Sequence, residues 1–345
     1  MPAWVRVVIV SYNAGGFLEA AVAGLARQTM ADFEAVIVDN ASTDGSVDRL
    51  RLPDSRFRLL RAGHNAGIAG GCNLGAADAE TPWLAMLNPD ALPAPDWLER
   101  LRAATLRWPR AAAFGSTQLM ADRPDRLDGG GDTYSIFGIA WRGGFGGLAS
   151  AVSEDIRVFS PCAAAALYRR DAFGAAGGFA ERFFCYLEDV DLGFRLRLRG
   201  HSVVQVADAR VRHAGSAITG RHSRFTLFHS ARNGVSLLVR CMPLALLPLS
   251  LALYLAAQAW LATRTPHPAA RLAGVAAGLG AGSGLWRERR AIQRERRLST
   301  AAVARLLVWN PRRVSRRDIV PLPRCPGDNR CGEEMAGTIV PPARP

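Results

Sequence analysis

Residues 83–93 read WLAMLNPDALP, an apolar run of strand length that ends in the trio Asn88-Pro89-Asp90. Asn, Pro and Asp are turn formers for backbone reasons alone. A carboxylate kept at the tip of a buried strand also suits a ligand for a hard cation. The neighbouring segments have to separate the two readings. Upstream, VRVVIV (5–10) runs into SYNAGG, FEAVIV (33–38) into DNASTDGS, and FRLLRA (57–62) into GHNAGIAGGCNLG. Between and after these runs, FLEAAVAGLARQ (17–28) and APDWLERLRAATLRW (94–108) carry apolar residues at helical spacing, the second with Pro and Asp at its start. Strands alternating with helices predict an α/β fold whose mainly parallel sheet is covered on both faces. Ligands of such sheets bind beyond the carboxyl ends of the strands. Ser11-Tyr12-Asn13, Asp39-Asn40 and Asn88-Pro89-Asp90 all fall at such ends.

The polar clusters narrow the chemistry. The first strand–helix junction is SYNAGG, without the GxGxxG of a dinucleotide site, and the glycine-rich 63–75 segment lacks the GK[ST] of a phosphate loop. Asp39 can serve a nucleoside or simply close an Asx turn. In YLEDVDLGFR, Glu188, Asp189 and Asp191 crowd the first turn of a predicted helix, where the dipole favours acids generally. A carboxylate beside apolar surface and a like charge has a raised pKa and can act as a general base. The glycine-rich stretch 127–147, LDGGGDTYSIFGIAWRGGFGG, reads as a long mobile loop or irregular hairpin.

The rest of the chain differs in character. All 43 basic residues are Arg, and 13 of them against two Glu lie between Arg264 and Arg317, so most of the net charge of +13 belongs to this region. Just upstream, residues 241–262 contain no formal charge over 22 residues, long enough to span a bilayer or to lie in its interface. A basic helix beside an apolar one points to anionic lipid rather than nucleic acid. Six cysteines without a CxxC pair argue against a zinc site or a disulfide framework, and the opening MPAWVRVVIVSYN has no signal-peptide pattern. The expected organisation is a catalytic domain over 1–240, membrane-associating helices over 241–318 and a disordered tail over 319–345.

Taken together, VVIVSYN, VIVDNASTDGS, NAGIAGGCNLG, LNPDA, GGFAERFFCYLEDVDLGFRLRLRG and ARVRHAGS occur in the order seen in inverting family 2 glycosyltransferases. The chain resembles their bacterial rhamnosyltransferase-like branch over about residues 5–240. The resemblance implies the GT-A fold, a nucleotide-binding αβα sandwich. It implies donor contacts from Ser11, Tyr12, Asn13, Asp39, Asn65, Gly67, Asn73 and Asn88. A divalent metal, Mg²⁺ or Mn²⁺, is expected on Asp90 and His213, with Asp189 as catalytic base and Glu188 as the adjacent alternative. Arg232-Asn233 also recurs in this branch.

It further implies a nucleotide-sugar donor, plausible first as dTDP-L-rhamnose, and a glycan or lipid-linked glycan acceptor at the cytoplasmic face of the cell membrane. Another hexosyl donor, or a catalytically weak scaffold of the same fold, are the alternatives. Two departures stand out: Asn88 replaces the first carboxylate of the DxD pattern, and Cys162-Ala163 stands where relatives often carry glycine.

Overall fold

The computed structural model describes residues 2–215, 220 and 222–323. Its strands are β1 (Val5–Ser11), β2 (Phe33–Asp39), β3 (Phe57–Arg61), β4 (Trp83–Leu87), β5 (Ala91–Pro93), β6 (Ala111–Met120), β7 (Leu127–Gly129), β8 (Asp132–Tyr134), β9 (Ala140–Arg142), β10 (Ile156–Arg157), β11 (Ala165–Arg169) and β12 (Ser202–His213). The sheet-forming part carries helices α1 (Gly16–Ala26), α2 (Gly67–Ala76), α3 (Trp97–Arg107), α4 (Arg170–Ala175) and α5 (Glu188–Leu198). Beyond it come α6 (Arg224–Cys241), α7 (Leu247–Ala262), α8 (Pro268–Gly280), α9 (Gly282–Arg294), α10 (Thr300–Leu306) and α11 (Pro311–Arg316).

The main sheet runs β10-β12-β6-β11-β4-β1-β2-β3. β1, β2, β3 and β4 are parallel, as are β6 and β12, but β11 lies antiparallel between β4 and β6. The sheet is therefore mostly parallel, as the alternation pattern predicts, but mixed through β11. Strand direction is a tertiary choice that an apolar run does not encode. The alternation within β1 sets the layers. Val5, Val7 and Ile9 pack with Leu18, Val22 and Leu25 of α1 and Trp97 and Leu101 of α3. Val8 and Val10 face Ala69 and Cys72 of α2 and Leu192 and Leu196 of α5. Gly75 lets α2 lie directly on β1, because a Cβ there would meet Val8.

Of the two readings of 127–147 the hairpin holds: the stretch supplies β7 against β6 and the hairpin β8–β9, and Tyr134, Ile136 and Trp141 are buried. Its apolar residues found partners on α5 and α6, which no local pattern foretells. Residues 241–262 do not form one helix. α6 ends at Cys241, and α7 starts at Leu247 with Pro248 in its first turn and is 16 residues long. No helix among the described residues is long and apolar enough to cross a membrane. The expected domain boundary after residue 240 also falls within the last turn of α6. Of the expected disordered tail, residues 319–323 are described and Leu322 is buried, its N–H donating to the Arg157 carbonyl at 2.8 Å. The remainder, with Cys325 and Cys331, lies outside the described residues.

Candidate active site

Register builds the first part of the site. β5 follows the Asn88-Pro89-Asp90 turn and pairs antiparallel with the end of β12, setting Ala91 opposite His213. Asp90 is thereby carried to the imidazole, with His213 Nε2 3.3 Å from Asp90 Oδ1. That nitrogen is buried and has no hydrogen-bond partner among the described residues. The other ring nitrogen, Nδ1, lies 2.7 Å from Asp128 Oδ2. Burial works to lower the His213 pKa, but the bond to Asp128 and the nearby Asp90 carboxylate outweigh it and raise it. Arg142 from β9 also bonds Asp128 Oδ2. A cleft lined by Arg123, Arg126, Asp128 and His213 gives access from solvent.

The second part hangs on β11. Its antiparallel placement sets Ala165 opposite Leu87, so residues 162–164 lie beside the tip of β4, and Asn88 N–H donates to the Ala164 carbonyl at 2.9 Å. Ala163 N–H then donates to Asp189 Oδ2 at 3.0 Å, and Val190 N–H to Asp189 Oδ1 at 2.8 Å. Burial raises the Asp189 pKa despite these two bonds. Asp132, on β8, and Cys162 stand close by: a carboxylate oxygen of each Asp and the Cys162 sulfur lie within 4.8 Å of one another. Burial, then the Asp189 charge, pushes Asp132 well above the usual carboxylate range.

The three acids of EDVD separate cleanly. Asp191 is fully buried between Arg195 and Arg240, which outweigh the effect of burial and hold its pKa low. It is a structural ion pair. Glu188 is buried with Oε2 lacking a partner among the described residues, and burial followed by the Asp189 charge raises its pKa. Asp189 alone combines a raised pKa, two orienting N–H bonds and partial exposure.

The turn delivering these acids is strained. Phe184, Tyr186 and Leu187 have φ of 61°, 73° and 66°, uncommon for bulky residues and found mostly at functional sites. Asn233 on α6 braces it: its Nδ2 donates to the carbonyls of Phe183, Cys185 and Tyr186 at 2.9, 2.8 and 2.7 Å. Arg232 Nη2 adds bonds to the Arg182 and Phe183 carbonyls. This gives the Arg232-Asn233 motif a physical role.

The residues expected at the donor divide in two. Ser11, Asn13 and Asp39 meet at the ends of β1 and β2. Asn13 Oδ1 accepts from Thr43 N–H at 2.8 Å, Asp39 Oδ1 accepts from Ser42 N–H at 2.9 Å, and the buried Ser11 Oγ has no partner among the described residues. Tyr12 is exposed beside them and Asn88 half-buried. Asp39 also pairs with Arg61 at 3.1 Å. Asn65, Gly67 and Asn73 also have structural work. Asn65 Oδ1 accepts from Asn40 Nδ2 and Gly67 N–H at 2.9 and 3.0 Å. Gly67 has φ +71° and touches the Phe184 carbonyl so closely that a Cβ would collide. Asn73 spends its amide on the Phe179 backbone, accepting at 2.9 Å and donating at 2.8 Å. Asp128, Asp132 and Arg142 escaped the sequence reading; the acids inside a glycine-rich run were the one available signal.

Residues 6–176 match the family model for Glycosyl transferase family 2. The N-acetylglucosaminyl-diphospho-decaprenol L-rhamnosyltransferase of Mycobacterium tuberculosis (strain ATCC 25618 / H37Rv) is 34% identical over 239 residues, covering 62% of this chain and 77% of that protein. The chain is a family 2 glycosyltransferase. A shorter match links the transferase to the validoxylamine A glucosyltransferase of Streptomyces hygroscopicus subsp. jinggangensis, 36% identical over 103 residues, 28% of this chain and 24% of the relative.

Among solved structures, GalNAc-T7 with UDP, GalNAc and Mn²⁺ superposes with a TM-score of 0.58 at 17% identity, over 69% of the transferase and 48% of that chain. The mannosyltransferase PcManGT from Pyrobaculum calidifontis, with GDP-Man and Mn²⁺, gives 0.52 at 19% identity over 86% of both chains. At these identities the likeness concerns the fold, which is GT-A-like.

Proposed function

We propose that this glycosyltransferase moves a hexose, L-rhamnose from dTDP-L-rhamnose in the leading reading, to a hydroxyl of a lipid-linked or cell-envelope glycan with inversion. The donor sugar is suggested by the mycobacterial relative, whose name specifies rhamnosyl transfer to a diphospho-decaprenol-linked acceptor. The observation that carries the reading is the Asp90–His213 pair: a carboxylate at the tip of β4 faces a buried imidazole nitrogen without a hydrogen-bond partner. One oxygen and one imidazole nitrogen form a donor set that suits Mn²⁺, and Mg²⁺ less well. With Asn88 in place of a second carboxylate, Asp90 and His213 would hold the cation. When bound, it neutralises charge on the diphosphate leaving group.

The chain's own residues supply the rest. Asp189 accepts the proton of the acceptor hydroxyl as that oxygen forms its bond to the anomeric carbon. The carbon–oxygen bond to the diphosphate breaks on the opposite face, and the nucleoside diphosphate departs with the electron pair. A single displacement inverts the centre, and no enzyme nucleophile is required. The N–H groups of Ala163 and Val190 hold the carboxylate in place, and its burial keeps it basic enough to take a proton.

The same reading places the enzyme on the cytoplasmic face of a membrane. α7 carries no charge and is inverted relative to an ordinary surface helix. It buries Ser250, Tyr254 and Gln258 and leaves Leu249 and Trp260 exposed. Arg264 stacks on Trp260, 4.5 Å from the ring centroid, an aromatic–cation pairing suited to a headgroup boundary. Co-sedimentation with anionic vesicles, lost when Leu249 and Trp260 become serine, is the expected result.

The donor is tested by calorimetry with dTDP-rhamnose, UDP-galactofuranose, UDP-glucose and UDP-N-acetylglucosamine, each with and without Mn²⁺. Tight, metal-dependent binding of dTDP-rhamnose alone is expected. Preference for another sugar overturns the donor assignment, and binding of none favours the scaffold alternative.

A further inference from the structure

We infer that Asp128 is a positioning residue for the metal site, holding His213 in the tautomer and orientation that present Nε2 beside Asp90. The inference rests on the reading that Asp90 and His213 hold a divalent cation. Its basis is a three-strand relay. β7 pairs with β6, where Gln118 lies opposite Gly129, and β6 pairs with β12, where Met120 lies opposite His213. Asp128 and His213, 85 residues apart in sequence, therefore meet with both side chains 2% exposed.

An ionised carboxylate only accepts, so the 2.7 Å contact requires that Nδ1 carry a hydrogen. The neutral ring then has its lone pair on Nε2, the nitrogen facing Asp90. Arg142 competes weakly for the opposite arrangement, since its Nη1 lies 3.4 Å from Nδ1. A bare Nδ1 lone pair turned to that guanidinium would also be held at 2.7 Å against a carboxylate oxygen, so the Asp128 contact decides the tautomer. Arg142 instead bonds the same Asp128 oxygen and holds that carboxylate in place. Its strand position is itself secured, because Arg142 on β9 lies directly opposite Asp132 on β8. A histidine ligand whose second ring nitrogen is held by a carboxylate is a recurrent outer-sphere arrangement, and loss of the carboxylate typically costs about 10–100-fold in metal affinity.

The test is a double-mutant cycle read as Mn²⁺ affinity by calorimetry on the full chain, with Asp128→Asn, His213→Ala and the pair. Asp128→Asn is expected to weaken Mn²⁺ binding about 10–100-fold and to have no further effect once His213 is alanine. Wild-type affinity in Asp128→Asn overturns the inference, as does an equal loss in both backgrounds. Wild-type affinity in His213→Ala removes the metal reading beneath it, a different failure. A second measurement avoids any folding defect in the variants. Nitrogen-15 histidine spectra of the unmutated protein, at a pH where the ring is neutral, should report hydrogen on Nδ1. Hydrogen on Nε2 overturns the proposal.

Discussion

Replacing Asn233 by alanine should slow catalysis although Asn233 contributes no side chain to the Asp90–His213 pair or to the acids of α5. Its amide has two hydrogens and serves three carbonyls of the turn that precedes Glu188 and Asp189, at 2.7 to 2.9 Å. Two buried hydrogen bonds contribute roughly 0.5–1.5 kcal/mol each, and stranding their acceptors adds to the loss. The change therefore removes about 2–3 kcal/mol. Against it stand three bulky residues at positive φ, each costing about 1–3 kcal/mol to hold. Without its brace the turn relaxes, and the conformer that presents Asp189 becomes a minority. At about 1.4 kcal/mol per factor of ten, kcat falls about 30- to 150-fold. The assay is steady-state transfer with the donor identified by calorimetry, beside Mn²⁺-dependent nucleotide binding and a thermal melt. Nucleotide affinity should stay near wild type, because Asp90 and His213 lie on other elements. A kcat within about threefold of wild type refutes the brace. Parallel loss of nucleotide binding would show that Asn233 supports the whole fold instead.

Asp189→Asn should abolish turnover by about 10²–10⁴-fold while leaving metal-dependent nucleotide binding intact; normal turnover in steady-state assays would transfer the base role to Glu188. In wild type, activity requires Asp189 ionised, and burial raises its pKa. The kcat/KM profile should therefore fall on acidification with its midpoint above about 3.9, and a midpoint at or below that value contradicts the assignment. Asp90→Ala should remove Mn²⁺-dependent binding and activity with an unchanged melting temperature, and unchanged activity would exclude the metal role. Asp191→Asn leaves Arg195 and Arg240 buried against a neutral partner and should cost about 3–5 kcal/mol in urea unfolding. Because the folded pKa of Asp191 is lowered, this contribution is present above the unfolded pKa and is lost as pH falls through the folded one. A deficit that does not shrink in strongly acidic buffer would contradict the pairing.

The polar motifs at strand ends were legible because each is local. An apolar run predicts its strand, and the residues at its end predict a turn or a site regardless of the rest of the chain. Asp90 was read in this way, and register brought it to His213. What local reading did not show is the structural work of Asn65, Gly67 and Asn73, which depends on backbone that arrives from elsewhere: Phe184 closes on Gly67, and Phe179 on Asn73. Local reading also missed Asp128, Asp132 and Arg142. Glycines dominate their segment, and its burial depends on α5 and α6, more than 40 residues downstream.

By itself the sequence determined the layered α/β plan, the family resemblance and the group of acids in the first turn of α5. Periodicity and short motifs are properties of neighbouring residues, and no distant partner is needed to read them. Tertiary structure alone decided what each acid does. Asp191 became an ion-pair partner because Arg240 arrives from α6, and Asp189 became an oriented carboxylate because β11 runs antiparallel and brings the Ala163 N–H to it. A carboxylate's proton affinity is set by its burial and by the charges and donors around it, and in this fold most of those come from residues far away in the chain.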